Sequence, residues 1–264
     1  MPTAPTSHAL TLHDVVVRFG THTAIDRVSL DVAAGSFVSI VGPSGCGKST
    51  LLNVVAGLLA ASGGGVSVFG DPLTGINPRA TYMFQQDALL PWKTVLGNVL
   101  FGLTLRGQTG HEAIRKAEAW IERVGLKGCG GLYPYQLSGG MRKRVAMAQC
   151  WIVQPDLVLM DEPFGALDVH TRLRMESEIL GLWEGSGTTV VFVTHDLEEA
   201  IALSDEVFLL SAGPGSRLVG RYVIELARPR HLIDIKADAA FHRVYREIWN
   251  DLRQEVLKSY DQNH

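Results

Sequence analysis

The chain has 264 residues, of which 46 % are hydrophobic, so it can bury the core of one large α/β domain or of two small ones. Its formal net charge is −3 with both signs spread along the sequence, so no basic stripe indicates nucleic acid as a partner. The apolar runs are shorter than the roughly 20 residues that cross a bilayer, and residues 1–13 lack the pattern of a secretory signal. We therefore expect any role at a membrane to depend on another subunit.

The three cysteines, Cys46, Cys129 and Cys150, are far apart, and none has a Cys or His neighbour at metal-ligand spacing. We expect free thiols in a reducing compartment and no structural zinc. Cys46 lies inside the glycine-rich loop described below, where bound phosphates are expected to shield its thiol from labelling reagents.

The N-terminal part of the chain is rich in strand-forming residues. The strand-like pattern from Thr11 to Leu30 begins with TLHDVVVRF and, after a polar turn at 20–23, enters RVSLDV. This pattern predicts an antiparallel sheet. SFVSIV (36–41) then predicts a buried strand that runs into a glycine-rich loop, and STLLNVVAGLL after the loop predicts a packed helix.

The middle of the chain changes from a helical to an alternating pattern. Residues 111–126 place apolar residues three and four positions apart, which predicts an amphipathic helix. The residues of this predicted apolar stripe are Ile114, Ala117, Trp120, Ile121 and Val124. Strands are predicted at 157–160 and 189–194, with a helix at 196–204 after the second. Such alternation predicts a mainly parallel sheet.

The C-terminal part predicts a strand at 217–226, ended before Pro229, and then a last helix at about 236–258. One face of this helix is apolar, which suits docking on the main domain, and the alternative is an interface with another subunit. The residues of that face are Phe241, Val244, Tyr245, Ile248, Trp249, Leu252 and Val256.

The segment GPSGCGKST (42–50) lies between a predicted strand and a predicted helix and fits the phosphate-binding pattern G-x-x-x-x-G-K-[ST]. Its glycines let several backbone N–H groups face one phosphate chain, and the helix N-terminus adds a positive dipole. Lys48 can reach the β- and γ-phosphates, and Ser49 can offer its hydroxyl to Mg²⁺. The predicted nucleotide-binding residues of this loop are Gly42, Pro43, Ser44, Gly45, Cys46, Gly47, Lys48, Ser49 and Thr50. The loop alone fits kinases, small GTPases and motor ATPases equally well.

A second anion site is predicted at LSGGM (137–141), which directly precedes the helix MRKRVAMAQCWIV. Ser138 and the N–H groups of Gly139 and Gly140 lie at a helix N-terminus, where anions bind favourably. A Ser-Gly-Gly helix cap is usually structural when it stands alone. In this context the segment resembles the LSGGQ signature of the ATP-binding cassette (ABC) family.

Two carboxylates, Asp161 and Glu162, follow the predicted strand LVLM, at the sheet edge where α/β proteins bind their ligands. LVLMDEP resembles the Walker B element of the family. The resemblance implies that Asp161 holds Mg²⁺ through water and that Glu162 orients and deprotonates the attacking water. GALD (165–168) resembles the family's D-loop, which implies that Asp168 contributes to the nucleotide site, and His195 resembles the switch histidine that contacts the γ-phosphate.

Two further positions resemble functional residues of the family. Gln85, in MFQQDALLPW, resembles the glutamine that senses Mg²⁺ and water and couples to the membrane subunit, and its spacing to Pro91 favours it over Gln86. Phe19, at the end of the first predicted strand, resembles the aromatic residue that stacks on adenine. The alternative for Phe19 is a place in the hydrophobic core.

The resemblance implies an α/β fold, a P-loop NTPase ABC cassette with a mainly parallel RecA-like sheet, an N-terminal antiparallel β subdomain and a helical subdomain at about 87–155. These parts would form one nucleotide-binding domain over residues 1–264. It also implies ATP and Mg²⁺ as cofactors and ATP hydrolysis by Glu162, His195 and Gln85, with Gln85 near the metal.

The resemblance further implies a head-to-tail pair of two copies, in which each ATP lies between residues 42–50 of one chain and residues 138–140 of the other. Two positions depart from the family pattern, namely Met141 in place of glutamine and Gln149 in place of arginine. Neither removes a phosphate or metal ligand, so we expect hydrolysis to survive. The departures nevertheless leave open a regulatory cassette that only binds nucleotide.

One cassette without a long coiled-coil insertion favours a transporter subunit over a soluble member that acts on ribosomes or DNA. The segments LLPWKTVLGNVLFGLTLRG, MDEPFGALD and SGGMRKRV resemble importers of nitrate, sulfonates and taurine most closely. An importer of a thiamine-precursor pyrimidine is the alternative, and an exporter is a more distant one. We expect a transmembrane permease and a solute-binding protein as partners, and a peripheral position on the cytoplasmic face of the inner membrane.

Overall fold

The computed structural model describes residues 8–165 and 167–261, with side chains up to residue 259. Its strands are β1 (His8–Phe19), β2 (His22–Ala33), β3 (Phe37–Val41), β4 (Gly63–Val68), β5 (Asp71–Pro72), β6 (Ala80–Met83), β7 (Leu157–Asp161), β8 (Thr189–Val193), β9 (Glu206–Leu210) and β10 (Leu218–Val223). Its α-helices are α1 (Lys48–Val55), α2 (Val95–Leu105), α3 (His111–Arg123), α4 (Gly139–Trp151), α5 (Val169–Trp183), α6 (Leu197–Leu203), α7 (Leu232–Ile235) and α8 (Ala239–Asp261).

A six-stranded sheet with the order β10-β9-β3-β8-β7-β6 forms the centre of the molecule. β3 runs parallel to β8 and β9, and β7 runs parallel to β6 and β8, whereas β10 is antiparallel to β9. Every residue of β3 and β8 is buried, because hydrophobic clusters cover both faces of the sheet, and their sequences are accordingly almost continuous apolar runs. The prediction of a mainly parallel sheet is confirmed.

A second sheet, with the order β2-β1-β4-β5, is antiparallel and contains the predicted N-terminal hairpin. Its strands β4 and β5 were not predicted, because GGGVSV does not alternate apolar and polar residues. Gly64 explains this composition. Its φ is +78°, and a Cβ at this position would lie 2.2 Å from the carbonyl oxygen of Asp14, where β4 runs beside β1.

The helices between β6 and β7 pack around a hydrophobic cluster of their own, separate from the two clusters that contain residues of the main sheet. In α3 the buried residues are Ala113, Ala117 and Ile121. The predicted stripe of this helix contained Ile114, which is 37 % exposed. Because α3 packs on α2 and α4 along one narrow line, residues four positions apart are buried and the neighbouring Ile114 is left at the margin.

The C-terminal part folds back over the main sheet. β10 ends at Val223, earlier than the predicted strand end at 226, because residues 224–231 cross the end of α6, where Arg230 donates hydrogen bonds to three carbonyl oxygens. α8 buries Phe241 and Ile248 against α6, whereas Trp249 of its predicted apolar face is 44 % exposed. Within residues 8–165 and 167–261, neither α8 nor any other helix is long and apolar enough to cross a membrane.

Candidate active site

Three strands of the main sheet end at one edge with chemically reactive residues. β3 leads into the loop 42–50, β7 ends at Asp161 and is followed by Glu162, and β8 is followed two residues later by His195. Because β3, β8 and β7 are adjacent and parallel, their C-terminal ends lie side by side. The candidate site is built at this edge.

The loop 42–50, called the P-loop below, turns the chain from β3 into α1. Gly47 caps α1 with a φ of 92°, and a Cβ at this position would lie 2.7 Å from Cδ1 of Ile25, so the turn requires glycine. Lys48 is only 5 % exposed, and its Nζ donates to two carbonyl oxygens of the loop at 2.9 and 3.0 Å. A buried ammonium group beside a helix N-terminus is a suitable environment for phosphate.

An open cavity of about 260 Å³ lies against the P-loop. Cys46 does not line it, because its side chain is buried, and this burial raises the pKa of the thiol. Nucleotide-dependent labelling of Cys46 is therefore not a usable test, since the thiol is already inaccessible. All three cysteines are free. The residues that line the cavity are Ser44, Gly45, Gly47, Lys48, Ser49, Thr50 and Glu162.

The carboxylate of Asp161 accepts hydrogen bonds from two hydroxyl groups. The Oγ of Ser49 donates to its Oδ1 at 2.8 Å, and the hydroxyl of Tyr82 donates to its Oδ2 at 3.3 Å. Burial raises the pKa of Asp161, and these two hydrogen bonds oppose the increase. Tyr82 was not predicted, because its sequence context is that of an ordinary strand residue.

The oxygen atoms of Ser49 and Asp161 are the type of ligand that Mg²⁺ prefers. Within residues 8–165 and 167–261, no group of three or more His, Cys, Asp and Glu side chains could hold a metal ion. Mg²⁺ usually binds proteins through one or two side chains and completes its shell with water and substrate phosphates. The hydroxyl and carboxylate beside the P-loop cavity therefore fit this ion.

The carboxylate of Glu162 is the point where the predicted catalytic residues meet. Its Oε2 lies 3.0 Å from Nδ1 of His195 and 3.5 Å from Nε2 of Gln85. Glu162 has a φ of 42°, a left-handed conformation that non-glycine residues rarely adopt and that often marks functional sites. Its N–H donates to the carbonyl oxygen of Val193 at 2.9 Å, which ties it to the end of β8. A potential general base thus lies at the phosphate cavity.

The loop that carries Gln85 is held by a buried lysine that the sequence reasoning missed. Lys143 of α4 is 3 % exposed, and its Nζ donates to the carbonyl oxygen of Gln85 at 2.7 Å and lies 3.1 Å from Oδ1 of Asp87. Arg142 pairs with the other oxygen of Asp87 at 3.1 Å. In the sequence, the run RKR is typical of a solvated helix face, and only the packing of α4 on this loop buries the lysine.

Residues 138–141, called the signature turn below, begin α4. The Oγ of Ser138 caps the helix by accepting a backbone N–H at 3.3 Å, and two glycines follow it. The turn lines a second cavity, of about 720 Å³, which shares no lining residue with the P-loop cavity. Asp168 lines this second cavity and caps α5, and its hydrogen bond with Thr171 lowers its pKa. In one chain, the P-loop and the signature turn therefore line two separate cavities.

Phe19, the predicted adenine-stacking residue, ends β1 at the tip of the N-terminal hairpin. Its side chain is 50 % exposed, so it does not belong to the hydrophobic core. An exposed ring on a rigid strand end can stack on a planar group.

Comparison with known proteins places this geometry in a family. A sequence profile described as ABC transporter matches residues 25–165. An uncharacterised ABC transporter ATP-binding protein of Methanocaldococcus jannaschii is 45 % identical over 236 residues, which cover 89 % of this chain and 86 % of the relative. The taurine import ATP-binding protein TauB of Pelagibacter ubique is 43 % identical over 241 residues, which cover 89 % of this chain and 90 % of the relative.

A solved structure is similar as well. The dimeric, post-hydrolysis state of the ATP-binding cassette MJ0796 bound to ADP and Pi matches with a TM-score of 0.71 and 29 % identity, over 83 % of this chain and 100 % of that chain. The fold and the motifs are those of an ATP-binding cassette ATPase, as predicted. The chain belongs to the ABC transporter family.

Proposed function

We propose that the chain is the ATP-hydrolysing subunit of an importer for taurine or a similar small solute, such as another sulfonate or nitrate. The observation that carries the hydrolytic part is the convergence of His195 and Gln85 on the carboxylate of Glu162 beside the P-loop cavity. The solute class is supported by 43 % identity to a protein named as a taurine import ATP-binding protein.

In this proposal the P-loop binds the triphosphate. Its backbone N–H groups and Lys48 contact the β- and γ-phosphates, and Ser49 and Asp161 hold Mg²⁺, with Gln85 close to the metal. When bound, the ion neutralises the charge that develops on the transferred phosphoryl group. The hydrogen bond between Ser49 and Asp161 supports this assignment, because it already brings both ligands to one point.

The hydrolytic step is assigned to Glu162, which orients a water molecule and accepts its proton. His195 positions this carboxylate through the 3.0 Å contact and faces the γ-phosphate. Phe19 stacks on adenine, which its 50 % exposure supports. This division of roles separates binding from turnover, and each can be tested with its own variant.

We assign the second half of each ATP site to another copy of the chain. In a head-to-tail pair, the signature turn and Asp168 of one copy would face the P-loop of the other, so that Ser138, Gly139 and Gly140 bind the γ-phosphate. Two observations support the pair. The two cavities of one chain share no lining residue, and the similar cassette MJ0796 is described as a dimer with ADP and Pi.

The remaining assignments concern organisation and partners. Residues 1–264 form one nucleotide-binding domain, with a helical subdomain at about 87–155 and α8 as a docking helix. The loop around Gln85 transmits closure of the dimer to transmembrane permease subunits on the cytoplasmic face of the inner membrane, and a solute-binding protein delivers cargo to the permease. The apolar contacts of α8 with α6 support its docking role.

The decisive experiment isolates the chain from its source membranes together with any transmembrane permease that co-purifies with it, and reconstitutes the complex in liposomes. Phosphate release is measured with the solute-binding protein empty or loaded with taurine, nitrate or a thiamine-precursor pyrimidine. We expect taurine to stimulate hydrolysis most. Stimulation by the pyrimidine alone would move the assignment to that importer. Binding of ATP without phosphate release would identify a regulatory cassette, and absence of any permease partner would favour a soluble ATPase.

A further inference from the structure

The turn that carries His195 is held by a network of side chains below it. The Oγ1 of Thr194 donates to Oε2 of Glu199 at 2.7 Å and accepts the N–H of Asp196 at 3.0 Å. Asp196 in turn caps α6, because its Oδ1 accepts the N–H of Glu199 at 3.3 Å and that of the preceding residue at 2.9 Å. The residues on both sides of His195 are therefore fixed through Asp196 and Glu199.

One guanidinium group joins this network to a neighbouring helix. The Nη1 of Arg172, on α5, lies 3.3 Å from Oδ2 of Asp196 and 3.5 Å from Oε1 of Glu199. Its Nη2 donates to the carbonyl oxygen of Leu167 at 3.3 Å. The guanidinium is a rigid planar fork whose donors point in set directions, so three acceptors on two segments constrain each other through it.

Leu167 connects these contacts to the second cavity. It lines the cavity of the signature turn and directly precedes Asp168, the residue that caps α5. Arg172 itself lines neither that cavity nor the P-loop cavity. A shift of the segment at 167–168 would therefore be passed through Arg172 to the turn that holds His195, without a direct contact to the P-loop.

We propose that Arg172 is a positioning residue, which holds His195 against Glu162 and couples this contact to the segment at 167–168. This inference rests on the proposed roles of Glu162 and His195 in hydrolysis. Loss of the guanidinium frees Asp196 and Glu199 from their shared cation, so the turn relaxes and the 3.0 Å contact between His195 and Glu162 is lost. Turnover falls, while nucleotide binding at the P-loop is retained.

A matched control is Arg228, which lies in the segment between β10 and α7 and contacts the C-terminal end of α6, whereas Arg172 contacts the residues at its N-terminal end. Arg228 is 23 % exposed, compared with 27 % for Arg172. Its Nε donates to Asp205 at 2.9 Å and its Nη2 donates to the carbonyl oxygen of Leu203 at 2.8 Å, so it also ties a helix end to a carboxylate. Arg228→Met removes a similar number of polar contacts at the C-terminal end of α6. It therefore measures the loss of folding stability that follows from removing such contacts alone.

The test measures kcat and KM for MgATP in the reconstituted complex, together with Tm. We expect Arg172→Met to lower kcat about 20-fold with KM within about 2-fold, since a displaced catalytic group costs rate rather than binding. Arg172→Lys keeps the charge but cannot span three acceptors, so it should restore at most part of kcat. Arg228→Met should lower Tm with kcat unchanged. Equal losses of kcat in the two methionine variants would overturn the proposal.

A second readout does not depend on turnover. The ¹⁵N resonances of His195, assigned by comparison with His195→Ala, report the hydrogen bonding of its ring in the purified full chain. They should shift in Arg172→Met and stay unchanged in Arg228→Met. If the wild-type complex releases no phosphate but the resonances shift as expected, the hydrolytic function fails and the positioning role stands. Unchanged His195 resonances in Arg172→Met refute the positioning role directly.

Discussion

The P-loop and the signature turn have the same local chemistry, but they differ in the structure that surrounds them and in how deeply they are buried. Both place glycines and backbone N–H groups at the start of an α-helix. The P-loop follows β3, a fully buried strand inside the main sheet, and its lysine is 5 % exposed. The signature turn follows a short 3-10 helix in the helical layer, and Ser138 is exposed.

This difference suits the two turns to different tasks: the P-loop to binding the nucleotide, and the signature turn to completing a site that already holds one. The P-loop has a buried cation, a carboxylate that fits Mg²⁺ and a general-base candidate at the same edge of the main sheet, so the nucleotide binding proposed for it uses residues of one chain. The signature turn has only a capped helix N-terminus, which contributes favourable but small dipole energy. In the proposed pair a second copy brings a nucleotide to this turn, and the exposure of Ser138 leaves it accessible for that contact.

The largest expected effect separates binding from chemistry within the P-loop half. Glu162→Gln keeps the size of the side chain but removes the proton acceptor, so we expect phosphate release to fall about 10³-fold, as is typical for loss of a general base. ATP binding should remain, and the dimer should accumulate with ATP bound. Size-exclusion chromatography with MgATP and a phosphate-release assay measure both. Near-normal hydrolysis would remove Glu162 from its assigned role.

The second prediction compares a variant of the P-loop with a variant of the signature turn. Lys48→Ala removes a buried charge from the P-loop and should weaken ATP binding about 100-fold, which is the usual size of losing such a charged contact. Ser138→Arg blocks the signature turn, so binding by the isolated chain should stay within a few-fold while phosphate release falls about 100-fold. Isothermal titration and turnover assays distinguish the two losses.

Mixing these two inactive variants provides the control. A mixed pair contains one composite site with an intact P-loop from the Ser138→Arg chain and an intact signature turn from the Lys48→Ala chain. Hydrolysis should partly return on mixing. Failure to recover activity from a demonstrated mixed pair would contradict the head-to-tail arrangement, whereas full ATP turnover by the Ser138→Arg chain alone would make the P-loop half self-sufficient.

How well the sequence predicts the residues of these two halves depends on how far apart in the chain the contacting residues lie. The P-loop and the Asp161–Glu162 pair lie at the ends of apolar strands, so local pattern placed them. Tyr82 and Lys143 were missed, because their contacts join residues 79 and 58 positions apart in the chain. Such contacts arise from the pairing of β6 with β7 and the packing of α4, which no local pattern encodes.

The third prediction concerns α5, whose first turn lines the cavity of the signature turn. Further along this helix, Glu176 is 1 % exposed, and burial together with repulsion from Glu199 raises its pKa to about 7. In the unfolded chain the pKa of the Glu176 carboxyl is lower, near 4.5. Between these values the native state binds a proton that the unfolded state lacks, so stability falls as pH rises.

Glu176→Gln removes this pH-dependent loss. We expect the variant to be more stable than the wild type at pH 8 by on the order of 2 kcal/mol and nearly equal to it close to pH 5. Urea unfolding at both pH values measures the difference. A variant that keeps the wild-type dependence on pH would show that Glu176 is not the group that titrates.

The smallest expected effect tests how far the P-loop half extends into the antiparallel sheet. Phe19 is half-exposed at the end of β1, so its removal costs little folding energy. Phe19→Ala should raise KM for MgATP about 10-fold, because stacking on a base contributes on the order of 1–3 kcal/mol, while kcat stays within about 2-fold. Phe19→Trp keeps a stacking surface and should restore KM. If neither variant changes KM, adenine binds elsewhere, and the P-loop half is confined to the main sheet.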